Sequence, residues 1–295
     1  MRLDNFLLRT FRNVPKSKVY RIIRSGEVRV NRGRAKPATR LAEGDEIRLP
    51  PVRQKEKPGP GRPPDGLIDK ARKALMLERD DMLVFNKPDG LAVHAGSRLR
   101  FGLIEILRVA RPGEYVELVH RLDRQTSGCL LVARSRAALD ALRAGLNDAI
   151  ATKRYLALVD GHWKEGAIEI DAPLSRDVER SGERMVTVDP SGGRVSVSRF
   201  EPIAFYADAT LMSVEIKTGR THQIRVHAAH CGHPVAADDK YGSNRRAAIW
   251  QERGLGRMFL HAAHIDMPYG NDTLQLDAPL ANDLQQILDR LDRQE

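Results

Sequence analysis

Apolar residues near the start of the chain recur at helical spacing, and Leu3, Phe6, Leu7 and Phe11 predict one amphipathic helix. Val19, Ile22 and Ile23 predict a second, opened at Pro15-Lys-Ser17 with Ser17 as its N-cap and stopped at Gly26. Residues 27–31 alternate like a strand, Asn31-Arg-Gly33 reads as a turn, and residues 45–49 read as another strand. Residues 51–66 hold five prolines and no apolar period, the composition of a semi-stiff linker. Beyond it, short apolar runs alternate with helical segments. Residues 82–85, 130–133, 155–159 and 210–216 predict strands, and 135–147 and 281–291 predict helices. Strands outnumber helices and often follow one another directly, which predicts an α+β fold with a mixed, largely antiparallel sheet. The pattern divides the chain into a head at 1–50, a linker at 51–72 and a body at 73–295.

Charge sharpens this division. The chain of 295 residues carries a net +10. Residues 1–50 hold thirteen lysines and arginines against five acids, a net +8, so the body is nearly neutral. A cationic head on a neutral body points to a polyanionic partner. Nucleic acid fits better than an anionic membrane, because the head lacks the clustered Trp and Phe of an interfacial helix. The head's basic residues gather on the second helix and the strand after it: Lys16, Lys18, Arg21, Arg24 and Arg29. No apolar stretch is long enough to cross a bilayer, and the opening residues lack a signal-peptide core. Two cysteines cannot build a disulfide framework, so a reducing cytoplasm is the expected compartment.

The densest chemistry lies in His120-Arg-Leu-Asp-Arg-Gln-Thr-Ser-Gly128, which sets the carboxylate of Asp123 between Arg121 and Arg124. Thr126, Ser127 and Gly128 are suited to holding such a loop, and the apolar run 129–133 follows at once as a buried strand. A structural Asp–Arg pair at a turn is the bland alternative. The ring of cationic and hydroxyl residues favours a functional carboxylate. Four more blocks stand out: Asn86-Lys-Pro-Asp-Gly-Leu-Ala-Val-His94, Lys153-Arg-Tyr155, Thr218-Gly-Arg-Thr-His-Gln-Ile-Arg-Val-His227 and Asp238-Asp-Lys-Tyr-Gly242.

The head, with Arg2-Leu-Asp-Asn-Phe6, the core 18–31 and Gly44-Asp-Glu-Ile47, resembles the S4 RNA-binding domain. That implies recognition of structured RNA by shape and phosphates. From about residue 80 onward, the five blocks together resemble the RluA-type pseudouridine synthases, and within that family the members that act on ribosomal RNA of the large subunit. The resemblance implies a catalytic domain with a central cleft, no metal and no nucleotide cofactor, a monomer, and exchange of a uridine N1–C1′ bond for C5–C1′ at several sites. It implies Asp123 as the essential carboxylate, Arg225 as its paired arginine, and Tyr155 as the ring that packs on the target base. Arg121 is then the residue that braces the space left by the unstacked uridine, and Arg124, Arg220 and His120 complete the substrate contacts. Lys87 and His94 are expected to shape their loop. Many relatives carry a second Asp where this chain has Gln125, which keeps a hydrogen-bonding side chain and loses a charge.

Two other readings compete. Histidines 222, 227, 230 and 233 with Cys231 invite a zinc site, but their spacing fits neither a His-Glu-x-x-His helix nor paired Cys-x-x-Cys knuckles. A non-catalytic RNA-binding assembly factor would explain the head but has no need of all the body's motifs. Transfer RNA and other ribosomal uridines are the alternative targets for the same chemistry.

Overall fold

The computed structural model describes residues 1–11, 14, 16–51, 61–96, 99–180 and 183–294, with the side chains of 176–184 and 293–294 excepted. Pro15 and residues 52–60 of the proline-rich stretch lie outside the described residues. Contacts divide the chain into two compact units, Met1–Arg62 and Pro63–Glu295.

In the first unit α1 (Leu3–Thr10) and α2 (Lys16–Arg24) pack beside a small antiparallel sheet of β1 (Arg29–Val30), β2 (Gly33–Arg34) and β3 (Ile47–Arg48). Leu3, Leu7, Val19, Ile22, Ile23 and Val28 form its core. Ser17 lies inside α2 rather than capping it, because the helix already begins at Lys16. Gly26 takes φ +78° at the predicted stop. Asn31 (φ 48°) and Arg32 (φ 65°) make the turn, and the Asn31 side chain ties it to Asp45 at 2.8 Å and to the Glu46 N–H at 2.9 Å. Burial of Val19, Ile22 and Ile23 leaves Lys16, Arg21 and Arg24 exposed, while Lys18 and Arg29 are half-buried.

The second unit opens with α3 (Asp65–Lys73), β4 (Leu75–Glu78), β5 (Met82–Lys87), α4 (Leu103–Ala110), β6 (Glu117–Leu118), β7 (Ser127–Ala133) and α5 (Arg136–Leu146). Next come β8 (Thr152–Asp160), β9 (Ile168–Asp171), β10 (Leu174–Arg180), β11 (Glu183–Val188), β12 (Val197–Tyr206) and β13 (Ala209–Ile216). It closes with α6 (Gln223–His230), α7 (Asn244–Glu252), β14 (Leu260–Tyr269), β15 (Asp272–Asp277), α8 (Asn282–Arg290) and β16 (Arg293–Gln294). Residues 65–72, assigned to the linker by composition, thus belong to a helix of this unit. Ala71 is buried there and Leu67 and Ile68 pack on the same core, an apolar face too short to stand out beside Pro63 and Pro64. Among the described residues no helix is long and apolar enough to cross a membrane.

One sheet of eleven strands spans the unit, in the order β16-β12-β13-β8-β14-β7-β5-β4, with β15, β6 and β9 paired at its margins. β10 and β11 form a separate hairpin. The strand pairs are antiparallel except β7 with β14, which meet in parallel at Ser127 opposite His261 and Gly128 opposite Ala262. Both faces of β5 and β7 are covered. Leu83, Phe85, Leu130 and Val132 pack under α3 and α4, while Met82, Val84, Cys129 and Leu131 pack under α5. Hence these strands read as unbroken apolar runs. Ser135 caps α5 by accepting from the Ala138 N–H at 3.0 Å.

The parallel join demands glycine. Gly128 has φ +114°, and a Cβ there would collide with the Ala262 backbone. We expect Gly128→Ala to destabilise the protein by roughly 2–6 kcal/mol, adding about 1–3 for strain to about 1–3 for overpacking. Urea denaturation reads this directly, and an unchanged midpoint would contradict it.

Candidate active site

Asp123 sits on the loop that ends in the β7–β14 join. The loop closes on itself through the Thr126 N–H, which donates to the Asp123 carbonyl at 3.1 Å. Ser127 anchors its end. The Ser127 hydroxyl lies 2.9 Å from His261 Nδ1 and accepts from Arg257 at 3.1 Å, and His261 Nε2 lies 3.0 Å from the Ala278 carbonyl. That carbonyl can only accept, so His261 carries its hydrogen on Nε2 and takes the serine proton at Nδ1. The buried set is fully satisfied.

A second anchor is Lys87, at the end of β5. Its buried ammonium donates to the carbonyls of Pro88, Leu91 and Arg124 at 3.0, 2.9 and 3.1 Å. One cation thereby ties the 88–91 turn to the Asp123 loop. Burial draws its pKa down to about 7 against the pull of Asp89 and Asp123.

Tyr155 comes from β8, two strands beyond β7. Lys153, Tyr155, Ala157 and Val159 share one face of that strand. Tyr155 pairs with Val214 on one side and Ala262 on the other, which brings its ring to the join. Burial, and then the charge of Asp123, push its hydroxyl well above the ordinary tyrosine range. α6 supplies the third group. Arg121, Asp123, Tyr155, Arg220, His222 and Arg225 line one cleft of about 450 Å³.

Several residues take partners other than those expected. Arg225 does not pair with Asp123. Its guanidinium grips Asp238 with Nε at 2.7 Å and Nη2 at 2.6 Å, and reaches Asp239 at 3.3 Å. Asp238 is fully buried and requires a cation, and the guanidinium fork meets it in two bonds. Asp123 is partly exposed and has His222 Nε2 at 3.8 Å instead. Arg124 also leaves the cleft, since its Nε donates to the Gly90 carbonyl at 3.2 Å. His120 accepts the Leu131 N–H at 3.2 Å, and burial and then Lys153 lower its pKa to about 4. It braces β7 and does not line the cleft around Asp123. Arg220 lines the cleft while donating to the Val195 carbonyl at 3.2 Å. Gln125 bonds Asp239 at 3.0 Å, joining the Asp123 loop to the turn that holds Arg225.

A larger groove of about 1510 Å³ shares Arg121, Tyr155 and Arg220 with the cleft and adds His120, Arg143 and Lys153. Arg143 donates to the carbonyls of Leu118 and Val119 at 2.8 and 3.3 Å, and Lys153 donates to that of Leu146 at 3.0 Å. Their charges are bonded to carbonyls, so they add positive potential to the groove. Arg143 escaped notice in the sequence because a lone arginine on an amphipathic helix reads as a solvated face. Asp238 and Tyr241 were visible only as members of a motif, without roles, and His222 was weighed only as a zinc ligand.

Three of the histidines that invited a zinc site, His222, His227 and His233, are bonded to separate partners. His227 lies between the Ser198 hydroxyl at 3.1 Å and the Ala172 carbonyl at 3.0 Å, and His233 lies 2.7 Å from the Asp160 carbonyl. Among the described residues no group of three or more His, Cys, Asp or Glu is placed to hold a metal.

Comparison with known proteins assigns the class. The RNA pseudouridylate synthase family model matches residues 81–230, and the S4 domain model matches residues 1–47. The chain belongs to the pseudouridine synthase family. It is 48% identical over 97% of its length to ribosomal large subunit pseudouridine synthase C of Yersinia pestis, covering 91% of that protein. To the protein of the same name from Escherichia coli (strain K12) it is 45% identical over 98% of its length, covering 92% of the relative. Among solved structures, human RNA pseudouridylate synthase domain containing 1 matches with a TM-score of 0.61 and 27% identity, over 75% of this chain and 88% of that one.

Lys87 offers a test of how the loop is held. Lys87→Met leaves three carbonyls without their donor and frees the Asp123 loop, so single-turnover isomerisation is expected to fall about 10- to 100-fold. Stability carries a second signature. The folded pKa of Lys87 lies below its unfolded value, so the cost of burying its charge is fully present below about pH 7. That cost is relieved as pH rises from about 7 toward the ordinary lysine range. Stability against urea therefore gains from this residue over that window, and the variant loses that part of the slope. An unchanged slope would remove Lys87 as its source.

Proposed function

We propose that this chain isomerises uridine to pseudouridine in 23S ribosomal RNA of the large subunit, with Asp123 as its essential carboxylate. The observation that carries the reading is the meeting of Asp123, Tyr155, Arg121 and Arg225 in one cleft from separate elements. The names of its relatives support the substrate. A target uridine leaves its stack to enter the cleft. The planar guanidinium of Arg121, at the mouth shared by cleft and groove, is suited to occupy the place it vacates. Tyr155 packs its ring on the base, and its high pKa keeps the hydroxyl neutral against the Asp123 carboxylate. Asp123 acts on the sugar or the base while N1–C1′ breaks and C5–C1′ forms; the base then gives up its C5 proton and takes one up at N1, so the product is an isomer of the substrate. Arg225 belongs to this site as the anchor of the Asp238–Asp239 turn and as a positive charge within electrostatic reach of Asp123.

Arg143, Lys153 and Arg220 give the flanking strand a positively charged groove to follow. The basic face of the head adds contacts with phosphate through Lys16, Lys18, Arg21, Arg24 and Arg29. We read the chain as acting as a monomer. Cys129 and Cys231 are free thiols, in keeping with a reducing cytoplasm.

The decisive comparison is Asp123→Asn against wild type on large-subunit RNA, with pseudouridine mapped at nucleotide resolution. The variant is expected to bind within a few-fold of wild type and to form no pseudouridine. Turnover by the variant would overturn the assignment of Asp123. Removing residues 1–50 is expected to weaken RNA binding and to flatten its salt dependence, by about 0.7–0.9 in log–log slope for each phosphate that the head neutralises. An equal slope would place all of the binding in the body.

A further inference from the structure

His222 has no part in the roles above, yet its Nε2 comes to 3.8 Å from the Asp123 carboxylate. It precedes α6 with φ 56°, in the left-handed region that few side chains adopt. Such a conformation persists where the surroundings impose it, and it is a reason to ask what the ring does. The imidazole is largely buried. Its Nδ1 lies 2.8 Å from the Tyr241 hydroxyl, and its Nε2 lies 3.8 Å from Asp123 Oδ2.

The hydrogen on this ring can be placed by counting donors. Tyr241 accepts the Val186 backbone N–H at 3.1 Å, and that group can only donate. The tyrosine hydroxyl has one hydrogen of its own, and Nδ1 is the acceptor beside it. With Nδ1 as that acceptor, a neutral imidazole holds its hydrogen on Nε2, facing Asp123. The opposite tautomer leaves the tyrosine hydrogen without that acceptor and turns a nitrogen lone pair toward a carboxylate. Arg225 keeps Tyr241 in place from the other side, its guanidinium lying 5.1 Å from the ring centre. The charged groups that face His222 are Asp123 from the catalytic loop, Arg225 from α6, and Asp238 and Lys240 from the following turn. Burial lowers the pKa of the imidazole, Arg225 and Lys240 add to that, and the two aspartates oppose it. The net direction is down, which leaves the ring neutral in neutral solution.

We propose that His222 is the positioning donor for Asp123, locked by Tyr241 as the Nε2–H tautomer so that a neutral N–H orients the catalytic carboxylate. The contact of 3.8 Å shortens to a hydrogen bond when uridine fills the cleft, as catalytic hydrogen bonds that are long in free enzymes commonly do. This inference rests on the reading of Asp123 as the essential carboxylate.

The test uses full-length wild type, Tyr241→Phe, His222→Gln, His222→Leu and Asp123→Asn, with single-turnover pseudouridine formation on large-subunit RNA across about pH 5 to 9. Tyr241→Phe is expected to lose about 10- to 100-fold in rate at high pH, the worth of one hydrogen bond to a charged group, with KM little changed. Its rate should recover as pH falls, because a protonated imidazole carries Nε2–H whatever Tyr241 does. Wild type shows no such recovery. His222→Gln keeps an N–H for Asp123 and should retain more activity than His222→Leu, with a profile that lacks the acid recovery. NMR of nitrogen-labelled histidine in wild type should show His222 as the Nε2–H tautomer, a readout that needs no variant to fold. A wild-type pH profile in folded Tyr241→Phe, or the Nδ1–H tautomer in wild type, would overturn the proposal. If Asp123→Asn is active, the reading of the carboxylate fails and the proposal falls with it. If Asp123→Asn is inactive and Tyr241→Phe keeps the wild-type profile, only the role of His222 fails.

Discussion

The second unit depends on a contact only two residues long, the parallel join of Ser127 and Gly128 to His261 and Ala262. On one side of it stand β7, β5 and β4, and on the other β14, β8, β13 and β12. So short a ladder is a weak seam by its backbone bonds alone. It is reinforced by the close approach that Gly128 permits and by the buried chain of hydrogen bonds from Arg257 through Ser127 and His261 to the Ala278 carbonyl. Every polar atom in that chain has a partner, the condition under which a buried network favours one arrangement over its neighbours. The loop bearing Asp123 leads into the join from the β7 side, and Tyr155 pairs with Ala262 from the β8 side of β14. The two groups meet because the two half-sheets meet.

Buried cations then hold the loops that the sheet leaves open. Lys87 gathers three carbonyls, and Arg225 gathers Asp238 and Asp239 while Gln125 reaches back to the same turn. Neither arrangement need add much to net stability, because removing a charge from water offsets much of what its bonds return. Their effect is geometric. An ammonium with three acceptors, or a guanidinium with a bidentate carboxylate, tolerates few other positions of the backbone around it, so the loops behave as extensions of the sheet.

The same placement of charge separates binding from chemistry. The head presents its lysines and arginines on a helix whose other face is apolar core, which leaves them near water and available to phosphate. Near the cleft, Arg143, Lys153 and Arg220 are held by carbonyl oxygens. A neutral acceptor fixes the side chain and leaves its charge uncancelled, which suits a groove meant for a polyanion.

Much of this was legible in the residues. The two-sided apolar runs of β5 and β7, the amphipathic helix α5 and the two short helices of the head followed from apolar period, which acts within a few residues, whereas the cap assigned to Ser17 did not. The Arg-Leu-Asp motif marked Asp123 because local crowding of charge is a local property. Other features were not legible, for related reasons. A helix at 65–73 was hidden because its apolar face is short and becomes worth burying only against α4. The partner of Arg225 was misjudged because three acids, Asp123, Asp238 and Asp239, lie within its reach in space, and nothing in their spacing along the chain ranks them. Burial does, giving the arginine to Asp238, the acid least accessible to water. The hydrogen on His222 lies further from view, since it depends on a tyrosine in the next turn and a backbone N–H on a different hairpin. The sequence by itself determined which segments bury which faces and where reactive side chains concentrate. The tertiary structure alone decided which charge meets which, because that choice turns on shifts of an ångström between strands distant in the chain.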